Sequence, residues 1–123
     1  MKRIVFARQI LKKEKVTQKD IEMILKVCEK DIFQRIKGKN LPNESSLIKI
    51  YATTIEGARR LVLILDESIQ VGHFLFYRKK EDPIGKNISI KNPEFKKALQ
   101  QYLKIWNEDM ETDNFEIAEL NRT

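Results

Sequence analysis

The chain has 123 residues, with 24 Lys/Arg against 18 Asp/Glu, a formal net charge of +6 and 41% hydrophobic residues. That length admits one ordinary domain or two very small ones sharing a core, and no run of about 18 apolar residues exists to cross a membrane. A lone Cys28 excludes an internal disulfide, and a lone His73 leaves no histidine-based zinc site and no triad with a histidine to spare.

In chain order, Ile4, Ala7, Ile10 and Leu11 predict a first helix over 3–14. Thr17 is a good N-cap with Asp20 three residues on, so a second helix starts there, with Ile21, Ile24 and Leu25 inward. After a turn at 26–29, Ile32 and Ile36 predict a third helix over about 29–37, closed by Gly38. A polar loop follows, and then a short strand from Leu47 to Tyr51.

From Thr54 the pattern repeats at an offset of about 37–40 residues. Thr54 caps a helix with Ile55, Ala58, Leu61, Val62 and Leu65 on one face, and a second helix is expected over 68–80. Asp82 to Asn87 reads as a hairpin tip and Ile88 to Ile90 as a strand. Asn92-Pro93 opens a last helix to Trp106. Residues 1–106 carry 23 Lys/Arg and 12 Asp/Glu, a net of +11; residues 107–123 carry one Arg and six acids, a net of −5, and read as a mobile acidic tail.

The fold expected is mainly α with small β-hairpin wings: two tandem winged helix-turn-helix units sharing a core, over 1–53 and 54–106, and a tail over 107–123. A basic body of this size suits a polyanion partner. In the first unit the reader helix would present Lys30, Phe33, Gln34 and Lys37 to base edges. Gln18 and Lys19 would meet a phosphate, and Lys39 and Asn40 would flank the site. In the second, the reader helix would offer Ser68, Gln70, Val71 and His73 at its start and Tyr77, Arg78, Lys79 and Lys80 at its end. Lys86 and Asn87, beside Gly85, would form a wing tip.

The segment Thr54-Ile55-Glu56-Gly57-Ala58, a break, a helix, then Gly85-Lys86-Asn87-Ile88-Ser89-Ile90 and the helix from Pro93 resembles the winged helix-turn-helix of the excisionase and MerR-like superfamily. Val16-Thr17-Gln18, Ile32, Gly38-Lys39, Pro42 and Leu47 resemble the phage-repressor helix-turn-helix. Tandem halves of this kind resemble the small DNA-binding transfer proteins of Gram-positive conjugative plasmids. The resemblance implies a cytoplasmic, sequence-specific double-stranded DNA binder, a monomer or weak dimer without cofactor, metal or enzymatic activity. Its role would be accessory or regulatory in conjugative transfer, beside other transfer proteins.

Other readings compete with this one. A phage-repressor-like transcriptional regulator is one, and a pure protein-interaction module is another. A third is a small RelE-like ribonuclease toxin, in which 58–65 and 70–77 are strands of a central sheet and Arg59, Arg60, His73, Tyr77 and Lys79 cluster. A central four-stranded sheet would separate the toxin reading from the helical ones.

Overall fold

The computed structural model describes residues 1–38 and 40–120. Strand β1 (Arg3–Ala7) runs directly into helix α1 (Arg8–Lys13), and helix α2 (Gln18–Glu29) follows. A short β2 (Gln34–Ile36) leads to the long strands β3 (Ser45–Thr54), β4 (Gly57–Asp66) and β5 (Val71–Lys79). Helix α3 (Pro93–Glu111) and strand β6 (Phe115–Glu119) complete the chain. The strands form one mixed sheet in the order β2-β3-β4-β5-β1-β6, in which β1 is parallel to β5 and the other neighbours are antiparallel.

This overturns the mainly α, tandem winged helix-turn-helix expectation: the molecule is α+β, and strands from both sides of residue 54 pair in the same sheet. The segments read as helices from Thr54 and from Ser68 are β4 and β5, and the reader helix expected over 29–37 is a loop and β2. The physical reason lies in β4. Leu61 to Leu65 are all buried, because helices cover both faces of the sheet. A short apolar run buried on both sides has no alternation, so its Leu and Val positions also satisfy a helical stripe. Burial of each such side chain is worth roughly 1.5–3 kcal/mol, enough to override helix propensity.

The hairpin joining β3 and β4 turns at Ile55-Glu56, with Gly57 at φ +114° and the Thr54 hydroxyl donating to the Gly57 carbonyl at 2.8 Å. A positive φ is cheap for glycine, so the residue taken as part of a helix start closes a turn. The β4–β5 turn is held by the Asp66 carboxylate, which accepts from the Ser68 amide at 3.0 Å and its hydroxyl at 2.6 Å.

Two helix starts expected from the sequence stand. Thr17 and Asp20 form a reciprocal capping box at 3.1 and 3.0 Å. Asn92 caps α3 by accepting from the Glu94 amide at 3.1 Å, with Pro93 in the first turn. Helix α3 packs on one face, where Tyr102 stacks on Phe76 at 4.5 Å and Phe95 lies 6.0 Å from the same ring. Helix α2 covers the other face near β3, burying Ile24, Val27 and Cys28.

The expected wing is a compact loop over 80–92. Gly85 is buried against the Lys79 carbonyl, and Ile84 and Ile88 join the core. The expected acidic tail is also built into the fold. Residues 107–111 finish α3, and β6 pairs with β1 along all five of its residues, with Glu119 3.4 Å from Arg3 and Glu116 4.0 Å from Arg8.

Asp109, fully buried, accepts from the Gln9 amide at 2.9 Å, the Gln9 side chain at 2.7 Å and Asn114 at 3.0 Å. It therefore fastens α1, α3 and the approach to β6 together. Asp109→Ala leaves those donors without their acceptor, and denaturant unfolding should show a loss of roughly 2–3 kcal/mol. An exposed control such as Glu108→Ala should change stability by less than about 0.5 kcal/mol.

Candidate nucleic-acid interface

The β3–β4–β5 pairing sets Tyr51 opposite Arg60 and Arg60 opposite Arg78. Directly paired residues share a face, so the three form one cross-strand row, on the side of the sheet that carries α3. Lys49 lies two residues from Tyr51 on the same face. The Arg60 guanidinium sits 4.0 Å from the centre of the Tyr51 ring, and the Lys49 ammonium 5.2 Å from it. Tyr51 is 56% exposed, and Arg60 and Lys49 are half-buried.

The Tyr51 hydroxyl is held below its ordinary pKa, first by hydrogen bonding from Lys49, with burial opposing and the charges of Lys49 and Arg60 adding to the lowering. A tyrosine flanked by two cations offers three functions at once: a stacking face, a titratable oxygen and positive charge for a phosphate.

Arg78 is anchored rather than presented. Its Nε donates to Glu14 at 2.8 Å, and its other nitrogens reach Asp82 at 3.3 Å and the Tyr102 hydroxyl at 3.3 Å. These carboxylates raise the Arg78 pKa against the effect of its burial, and burial holds the Glu14 carboxyl above its usual range despite Arg78. The network ties α1 to β5 and to the loop after it, so it fixes the platform beneath Arg60.

The residues expected to read DNA do not converge. Ser68, Gln70 and Val71 sit at the β4–β5 turn, whereas Tyr77, Arg78, Lys79 and Lys80 lie at the other end of β5, about 25 Å away at strand rise. Val71 is buried, Ser68 is bonded to Asp66, and the Gln70 side chain donates to the Glu67 carbonyl. Lys79 and Tyr77 alternate with Arg78 along β5 and so fall on the α2 face.

Gln18 and Lys19 are exposed in the first turn of α2, with Lys19 3.6 Å from Glu56. Lys30, Phe33 and Gln34 line a slot at the β3 edge, Lys37 is exposed beyond it, and Asn40 borders a separate cavity along α3. Lys39 lies outside the described residues. Lys86 and Asn87 are exposed on the 80–92 loop, not on a hairpin wing.

The cluster of the toxin reading is divided as well. Arg60 faces Tyr51, while Arg59 and Tyr77 lie on the α2 side, where Arg59 donates to the Glu56 carbonyl and carboxylate. A register irregularity opposite Val62 and Leu63 turns His73 toward α3. There its Nδ1 accepts from the Trp106 indole N–H at 3.1 Å, edge to face at 5.1 Å. The residues that sequence reasoning missed are Lys49 and Tyr51. Their signal was the two-residue turn at Ile55-Glu56, from which counting back places Tyr51 opposite Arg60.

No family model matches the chain, and neither a curated protein nor a solved structure matches it. Among the described residues no helix is long and apolar enough to cross a membrane, and no group of His, Cys, Asp and Glu is arranged to hold a metal ion.

Burial pushes the His73 pKa down from 6.5 to about 4, with Asp66 opposing weakly. Between those values the unfolded chain binds the proton and the folded one does not, so stability falls as pH drops from 6.5 toward 4. The loss should reach about 3 kcal/mol at most. Unfolding curves across that window should flatten in His73→Phe relative to the parent.

Proposed function

We propose that this protein binds single-stranded RNA across the Lys49–Tyr51–Arg60 face and cleaves it, as a small ribonuclease of the RelE-like toxin kind. The observation that carries this reading is the exposed Tyr51 held between two cations, 4.0 Å from Arg60 and 5.2 Å from Lys49, at the end of a single central sheet. The duplex-DNA reading rested on two groove-sized reader helices, and strands or loop occupy both segments.

A base stacks on an exposed aromatic ring with roughly 1–3 kcal/mol of affinity. The phosphate then lies within reach of Arg60 and Lys49. Tyr51, in the phenolate form that Lys49 and Arg60 favour, takes the proton from the ribose 2′-hydroxyl and becomes the neutral phenol. The 2′-oxygen attacks phosphorus, the bond from phosphorus to the 5′-oxygen breaks, and the Lys49 ammonium gives a proton to that leaving oxygen. The products are a 2′,3′-cyclic phosphate and a 5′-hydroxyl. Arg60 stabilises the added negative charge on the phosphoryl oxygens. The basic body, +11 over residues 1–106, draws the polymer in and makes binding salt-dependent.

The test is cleavage of a single-stranded oligoribonucleotide, with the product ends identified by mass spectrometry. Tyr51→Phe and Arg60→Ala should each lower kcat/KM by about 100-fold or more while leaving the circular dichroism unchanged. A 2′-deoxy substitution at the cut site should block the reaction. RNA left intact by the parent protein, or a marked preference for duplex DNA in binding, would remove this reading.

A further inference from the structure

Strand β3 is longer than the partner on its outer edge. Among the described residues β2 pairs with Leu47, Ile48 and Lys49 alone, so the edge from Ile50 to Thr54 has no strand beside it. Exposed edges are templates for a further strand unless a protein blocks them. Here the edge opens into a slot of about 510 Å³ between β3 and α2.

The walls of the slot are chemically one-sided. Met23 and Val27 of α2 and Ile32 and Phe33 of the following loop make it apolar, and Ile32 is 76% exposed. Lys26, Lys30 and Lys49 line it too, and no carboxylate does. We propose that this slot accepts an extended acidic peptide segment of a partner protein, which pairs with β3 over Ile50–Thr53 as an added strand.

Backbone hydrogen bonds to the edge would supply affinity, and alternate side chains would supply selectivity. Apolar residues of the segment fit against Ile32, Met23 and Val27, and its carboxylates meet the three lysines. The chain uses the same solution at its far edge, where β6, with Glu116 and Glu119 among apolar residues, pairs with β1 and meets Arg8 and Arg3. A polynucleotide fits this slot less well. Its sugar-phosphate backbone has no ladder of amides to match the edge.

The slot shares Lys49 and Tyr51 with the proposed RNA face, and its test is kept separate by reading peptide binding directly rather than cleavage. The probe is a labelled synthetic peptide alternating glutamate with valine and isoleucine, set against a version with lysine in place of glutamate. Binding is followed by fluorescence anisotropy and by amide hydrogen exchange of the full chain. The acidic peptide should slow exchange at Ile50–Thr53 about tenfold or more, and the lysine version should bind at least about tenfold more weakly. Lys26→Glu combined with Lys30→Glu, both at exposed positions, should weaken the acidic peptide about tenfold without altering the circular dichroism. The proposal is overturned by binding that leaves those amides unprotected or by undiminished affinity in the double variant. It is equally overturned if an oligoribonucleotide alone protects the edge, or if protection rises with protein concentration without peptide, which would make the occupant a second copy.

Discussion

The rest of the structure depends on β4 being buried from both sides. Leu61 to Leu65 lie between β3 and β5 in the plane of the sheet and between helical layers above and below it. Five consecutive buried apolar residues bury far more area than a helix stripe could in the same length, and they commit the middle of the chain to a sheet. Once β4 is central, its two hairpins fix β3 and β5. β1 then enters parallel to β5, which needs the long crossover that the rest of the chain supplies.

The same strand explains where the candidate site lies. The apolar run stops at Leu61, and the two residues before it are Arg59 and Arg60. At this end of the sheet Tyr51, Thr53 and Lys79 are exposed, so charged side chains can stay solvated there. Alternation sends Arg59 to the α2 face, bound to Glu56, and Arg60 to the α3 face, against Tyr51. The half-buried ion pair of Arg78 with Glu14 ties the neighbouring strand to α1 and so braces the row. Asp109 acts further along the same α1–α3 layer, where it holds Gln9 and Asn114 ahead of β6, so that acidic C-terminal residues form a sheet edge.

The helix caps were legible in the sequence because their signals are local. Thr17 with Asp20 and Asn92 with Pro93 satisfy their own amides within one turn, whatever surrounds them. The strands were not legible in this way. A stretch such as Leu61–Leu65 satisfies a helical stripe and a doubly buried strand equally, and only its neighbours decide between them. The apparent repeat at an offset of about 37–40 residues aligned unlike elements, α2 with β4, the loop and β2 with β5, and β3 with the loop residues 88–90, because apolar runs separated by polar breaks recur in both halves whatever structure they adopt. Phe74, Leu75 and Phe76 looked like core and are core, but of a strand whose register shift sends His73 to Trp106. Of the site, Arg60 was visible as a basic residue. Its partner Tyr51 became visible only through the register set by the Ile55-Glu56 turn.

The most direct test of the account is an amide and side-chain NMR titration of the full chain with a short single-stranded oligoribonucleotide, at a stated low salt concentration. The account predicts the largest shifts at Lys49, Tyr51 and Arg60, with the Tyr51 ring resonances moving upfield as a base stacks on them. Shifts confined to the exposed face of α2 or to the 80–92 loop, with Tyr51 and Arg60 unmoved, would contradict it.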